Sequence, residues 1–162
     1  MSPVTDLAAG GPSKTAGTKR RLNREELSSW RAFLRAHAVI TRALEMELVA
    51  EQSLSLAAYD VLVQLVEAPD HRLRMTELAD AVLLSRSGVT RLVDRLERAG
   101  LVSRCPVEHD GRGVAAQITD AGFARLRQAS RTHLAGVARH FADRLDADDL
   151  AVLERISRRL VE

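Results

Sequence analysis

The sequence predicts a mainly α-helical fold that carries one β-hairpin. Three observations lead there. Five helix starts repeat one capping signature, apolar residues recur at three-four spacing near both ends of the chain, and strand-like segments flank only the turn-rich stretch PVEHDGRG. With 162 residues, 46% apolar and 28% charged side chains, the chain can bury a sizeable core around those helices.

The repeated signature is an apolar residue, a polar N-cap and a second apolar residue four positions on, which together satisfy an orphan amide and staple the first turn. It falls on Leu22/Asn23/Leu27, Leu54/Ser55/Tyr59, Leu84/Ser85/Val89, Ile118/Thr119/Phe123 and Leu145/Asp146/Leu150. Glu26, three residues after Asn23, adds the reciprocal half of a capping box. The first helix is expected over about 24–50. Its stripe is Leu27, Trp30, Leu34, Leu44 and Leu48, with His37 and Thr41 in the two polar positions and Phe33 at the edge. A second helix covers 55–67 and stops at Ala68-Pro69. A short one, capped by Thr76, reaches Val82. After a turn at Leu83-Leu84-Ser85 another runs from Arg86 to Ala99, with Gly100 placed to close it and Leu101 to meet Leu96. The hairpin pairs 101–105 with 114–118 through Asp110-Gly111. Two C-terminal helices follow, carrying Phe123, Leu126, Leu134, Val137 and Phe141, then Leu150, Leu153, Ile156 and Leu160. They offer the stripe of the first helix a surface to bury against.

Residues 1–21, with Gly10-Gly11-Pro12-Ser13 and Lys14, Lys19, Arg20 and Arg21, read as a disordered basic arm. Its plainest role is that of a solvated tail. No stretch approaches the roughly 18 apolar residues of a membrane span, and the N-terminus lacks the apolar run of a secretory signal, so the expected compartment is the cytoplasm, with no membrane partner. Cys105 is the single cysteine. That excludes an internal disulfide framework and an all-cysteine metal cage. There is no P-loop, no G-x-G-x-x-G, no H-E-x-x-H and no nucleophile elbow. An enzyme is therefore not expected, and no cofactor is implied.

The net charge is only +2, yet Lys14 and Lys19 are the sole lysines among 24 cationic side chains. Arginine suits phosphate recognition through its planar fork of donors. Position decides what the arginines do. Two short helices joined by a tight turn over Thr76–Ala99 have helix-turn-helix geometry, with Ala79 small at their crossing and Leu83 where many such motifs carry glycine. On the second helix Val89, Leu92, Val93 and Leu96 face inward. Ser87, Thr90, Arg91 and Asp94 share the opposite side, flanked by Arg86, Arg95 and Arg98. A helix that enters a major groove needs short hydrogen-bonding residues and an arginine on its first turns, with cations at its flanks for phosphates. Ser87, Gly88 and Thr90 keep the tip slim. A solvated arginine face is the alternative, and the hairpin weighs against it. It follows the helix directly and carries Arg104, Asp110 and Arg112, so that its tip can reach an adjacent minor groove, with Asp110 orienting the Arg112 guanidinium.

These residues resemble the MarR family of winged helix-turn-helix transcriptional regulators. The resemblance rests on MTELADAVLLSRSGVTRLVDRLERAGLVSR and HDGRGVAAQITDAG and spans about 25–160. The family's Asp-x-Arg wing motif falls on Asp110 and Arg112, and its recognition helix on Ser85 to Arg98. Gly111 and Gly113 flank Arg112 where relatives often carry a second arginine. The resemblance implies a cytoplasmic regulator, most simply a repressor, that acts as a homodimer on an inverted-repeat operator in double-stranded DNA. It implies a division into a helical dimerisation region (22–50 and 119–162) and a winged helix-turn-helix lobe (51–118). Expected DNA contacts are Arg86, Ser87, Gly88, Thr90, Arg91, Arg95, Arg104, Asp110 and Arg112, and the arm at 1–21 is a further candidate for phosphate contact. It also implies release by a small aromatic or phenolic effector, for which Trp30, Phe33, His37 and Tyr59 are the lining candidates; packing in the core or dimer interface is their alternative role. Two other readings stand beside this one: a winged-helix module that binds protein and no DNA, and redox sensing through Cys105, which has no second cysteine in the chain to resolve it. Zinc sensing by His133 and His140 with Asp143 or Asp146 is disfavoured by their wide spacing.

Overall fold

The computed structural model describes residues 20–107 and 110–162, and for 110–112 the backbone alone. The expected arm thus lies outside the described residues, apart from Arg20 and Arg21. The chain divides into two compact units, Met1–Leu34 and Arg35–Glu162.

Six α-helices form: α1 (Arg24–Gln52), α2 (Leu56–Glu67), α3 (Met75–Ala81), α4 (Arg86–Arg98), α5 (Asp120–His140) and α6 (Ala147–Val161). Each of the five expected N-caps is made. The Asn23 side chain accepts the Glu26 amide at 2.8 Å while Glu26 accepts the Asn23 amide at 2.8 Å. Ser55, Ser85, Thr119 and Asp146 accept the amides of Ala58, Gly88, Gly122 and Asp149 at 3.2, 3.2, 3.0 and 2.8 Å. These bonds span three residues, so the local sequence is sufficient to specify them. The sixth cap differs from expectation. α3 starts at Met75 with extended Arg74 as its N-cap residue, and Glu77 accepts the Arg74 amide at 3.0 Å. Thr76 lies inside the helix.

The sheet also corrects the sequence reading, which has a lone hairpin. Three antiparallel strands, β1 (Arg72–Arg74), β2 (Val102–Val107) and β3 (Asp110–Ile118), lie in the order β1-β3-β2. β1 is too short to show a period, and its partners Ala115, Ala116 and Gln117 lie some forty residues away. β2 and β3 run further toward the tip than the expected 101–105 and 114–118, and the backbone of Asp110-Gly111-Arg112 is strand instead of turn. The register slips between Pro106 and Val107. Proline has no amide to give the ladder, which explains why the pairing breaks beside it.

The core of the larger unit joins Leu48 of α1, Val61, Leu62 and Leu65 of α2, Leu78 of α3, Val89 and Val93 of α4 and Val102 of β2, all fully buried. Two glycines let the backbone close up around it. A Cβ on Gly122 would lie 2.2 Å from the Leu101 carbonyl oxygen, and one on Gly136 would lie 2.6 Å from a Glu47 carboxylate oxygen and 2.8 Å from Leu44. At that same α1–α5 contact Thr132 accepts from the Gln52 amide group at 3.0 Å and donates to Glu51 at 2.8 Å, while Glu47 receives His140 at 2.7 Å and Arg139 at 2.8 Å. The His140 bond, then the Arg139 guanidinium, holds the Glu47 carboxyl below its usual range against the opposing effect of burial. Among the described residues no helix is long and apolar enough to cross a membrane.

Candidate nucleic-acid interface

α3 and α4 meet through a tight turn at Val82, Leu83 and Leu84. Leu83 takes φ = 53°, the left-handed conformation for which the motif usually supplies glycine, and its side chain is 91% exposed. Ala79, 2% exposed, lets the helices cross closely. α4 is then fixed at both ends. Ser85 caps its start, and Gly100, at φ = 71°, closes its end with two bonds: Gly100 donates to the Glu97 carbonyl and Leu101 to the Leu96 carbonyl, each at 2.9 Å.

Between its ends α4 is two-faced. Val89, Leu92, Val93 and Leu96 are buried. Arg86, Ser87, Thr90, Arg91, Arg95 and Arg98 are exposed, and Gly88 is half-buried at the tip. The Thr90 hydroxyl donates back to the Arg86 carbonyl at 2.9 Å, which leaves its lone pairs outward. Ser85 and Ser87 hydroxyls pair at 3.3 Å. Arg98 donates to the Asp94 carbonyl at 3.2 Å. Among the described residues Arg86, Arg91 and Arg95 make no ion pair, so three guanidinium groups on one helix stand ready for an anionic surface.

Arg104 is placed differently from those three. Its Nη2 donates to Asp94 at 2.6 Å and to the Thr90 carbonyl at 3.3 Å, its Nη1 to Glu97, and its backbone amide also to Glu97 at 3.1 Å. Burial pulls the guanidinium down, but the Asp94 and Glu97 carboxylates outweigh it and hold the group above its ordinary range. Glu97 is the site residue that sequence reasoning missed; Asp94 was placed on the outward face, but its pairing with Arg104 was not foreseen. The available signal was an acidic pair three residues apart on a helix otherwise rich in arginine. The side chains of Asp110 and Arg112 lie outside the described residues; their backbones place both at the far end of β3.

The other candidates separate. Trp30 and Phe33 form an exposed stacked pair on α1, with ring centroids 6.1 Å apart. His37 is exposed on the same helix. Tyr59 is buried, its hydroxyl 3.3 Å from that of Ser130 and its ring 4.4 Å from His133. Cys105 is half-buried and its thiol faces the Ala115 carbonyl at 3.7 Å. His133 and His140 go to different neighbours, Tyr59 and Glu47.

A helix-turn-helix whose second helix is backed by a three-stranded sheet, with two of those strands running out as a hairpin, defines a winged helix-turn-helix protein. Comparison with known proteins agrees. The MarR family profile matches residues 52–113. The HTH-type transcriptional regulator PecS of Dickeya dadantii (strain 3937) is 30% identical over 132 residues, 78% of each chain. The HTH-type transcriptional repressor YetL of Bacillus subtilis (strain 168) is 36% identical over 89 residues, covering 55% of this chain and 53% of its own. Sco3205, a MarR family transcriptional regulator from Streptomyces coelicolor with a crystal structure in complex with DNA, matches with a TM-score of 0.83 at 34% identity, covering 90% of this chain and 91% of that one. The chain belongs to the MarR family of transcriptional regulators. It is not an enzyme.

Proposed function

We propose that the protein binds double-stranded DNA sequence-specifically as a homodimer and represses transcription from an inverted-repeat operator. One observation carries the reading: α4 is capped at both ends, anchored by four buried apolar side chains, and presents Arg86, Arg91 and Arg95 outward beside Ser87, Gly88 and Thr90. In this reading Arg91 meets a base edge and Arg86 and Arg95 meet phosphates, while Arg112, oriented by Asp110, enters the adjacent minor groove. The DNA complex of Sco3205 supports the ligand class, and the naming of YetL as a repressor supports the direction of control.

The dimer is supported by apolar surface left uncovered. Trp30, Phe33 and Leu34 on α1, Leu134 on α5, and Val152, Ile156 and Leu160 on α6 are each between 43% and 70% exposed. Large apolar side chains left this exposed favour coverage by a second chain. Residues 22–50 and 119–162 form the dimer interface in this reading, and 51–118 form the DNA-binding lobe. A two-fold dimer requires half-sites about one helical turn, ~34 Å, apart. Release by a small aromatic or phenolic effector is the further part of the reading, with Trp30, Phe33 and His37 the exposed candidates for contact and Tyr59 behind them in sequence as a buried one. A coupling of ~1–3 kcal/mol would lower operator affinity roughly 5- to 150-fold; titrations in which no such compound shifts operator binding would remove it.

Selection of bound sites from a random duplex pool tests the main claim. Recovery of a symmetric site bound by two chains is the expected result. A protein that binds no duplex at low ionic strength, or whose log–log salt slope is flat, is instead the module that binds protein alone, because each neutralised phosphate contributes ~0.9 to that slope.

A further inference from the structure

Two carboxylates sit on the arginine-bearing helix. Asp94 and Glu97 of α4 are 45% and 39% exposed, within one turn of Arg91, Arg95 and Arg98. Unpaired, they would repel the same phosphates that the neighbouring arginines are built to meet. They are not unpaired. Arg104 reaches across from β2 and spends both terminal nitrogens on them, with a further bond to the Thr90 carbonyl and its own amide on Glu97. Its side chain is only 25% exposed.

We propose that Arg104 is a positioning residue that acts on DNA affinity through Asp94 and Glu97. It offsets one of their two negative charges and ties β2 to the body of α4, without touching the duplex. This rests on the DNA-binding reading above and refines it, since it moves Arg104 out of the set of direct contacts. The geometry favours the assignment because a guanidinium that turned outward to a phosphate would give up bonds to two carboxylates and leave both facing the DNA.

The test uses the full chain, a random-sequence duplex of fixed length and a series of salt concentrations. Arg104→Met should weaken binding about tenfold at low salt, because it removes the one positive charge that offsets two carboxylates beside the phosphates. The triple variant Arg104→Met/Asp94→Asn/Glu97→Gln should return to within about threefold of wild type. A triple variant as weak as Arg104→Met, with a slope lower by ~0.9, would mean that Arg104 touches a phosphate and would overturn the inference. Unchanged binding by Arg104→Met would overturn it too. If circular dichroism shows Arg104→Met to be unfolded, Asp94→Asn/Glu97→Gln decides the matter: it keeps Arg104 and frees its charge, so it should bind several-fold tighter than wild type, and equal or weaker binding overturns the inference. Wild-type protein that binds no duplex overturns the DNA-binding reading itself, which separates that failure from this one.

Discussion

Leu83 pays a backbone cost that its side chain does not recover. A left-handed conformation costs a β-carbon-bearing residue ~1–2 kcal/mol, and an 91% exposed leucine gains little from packing. Leu83→Gly should therefore raise the urea midpoint, by about 1 kcal/mol in stability, with the slope of the transition unchanged; an unchanged or lowered midpoint would show that the leucine makes up its strain by contacts. Arg91 is a residue of the opposite kind, exposed and without an ion pair among the described residues. If it reads a base edge, Arg91→Ala should cost ~1–3 kcal/mol on the selected operator and relax preference at one position of each half-site. An equal loss on selected and random duplexes would assign it to a phosphate. The positive φ at Leu83 could be anticipated because the turn position is recognisable in sequence. Which arginine is free was not, for it depends on the acids that the fold brings near.

At the scale of elements, the difference between local and distant information is visible helix by helix. Five N-caps and the Gly100 closure were legible because donor and acceptor lie three to five residues apart. The start of α3 was not. Arg74 of β1 pairs with Ala115 of β3, so it is held extended at ψ = 146° up to the residue where the helix begins, one place ahead of Thr76. The threonine is a sound cap in isolation, overruled by a strand partner forty residues on. The α1–α5 contact is a second case. Gly136 reads as a weak spot in a helix until the neighbouring Leu44 and Glu47 are seen against it. Gly136→Ala should destabilise the protein by ~1–3 kcal/mol despite alanine's better helix propensity, through overpacking. A stabilised variant would show that α1 can move away at no cost.

For the whole molecule, one half-buried imidazole sets a pH dependence. His133 Nδ1 is buried without a hydrogen-bond partner among the described residues, against the Tyr59 ring. Burial lowers its pKa from 6.5, with Asp60 opposing in part. The unfolded chain thus takes up the proton more readily, and stability is lost as pH falls through about 6.5. Asp60 acts in the other direction: burial raises its pKa from 3.8, helped by Glu45 and opposed by His133, and its contribution is lost as pH rises through the acidic range. The urea midpoint should fall between about pH 7.5 and 5.5, and His133→Gln should flatten that fall; a variant as pH-dependent as wild type would place the cause elsewhere. Exposed apolar side chains on α1, α5 and α6 belong to this scale as well, since in the proposed homodimer a second chain would cover them. The amino-acid sequence by itself determined the six helices, five of their N-caps, the turn, the inward face of α4 and the family, because each is written in spacings of a few residues. Tertiary structure alone decided the third strand, the true start of α3, the burial of Tyr59 and the engagement of Arg104, because charge pairing and strand pairing join residues whose separation along the chain carries no period to read.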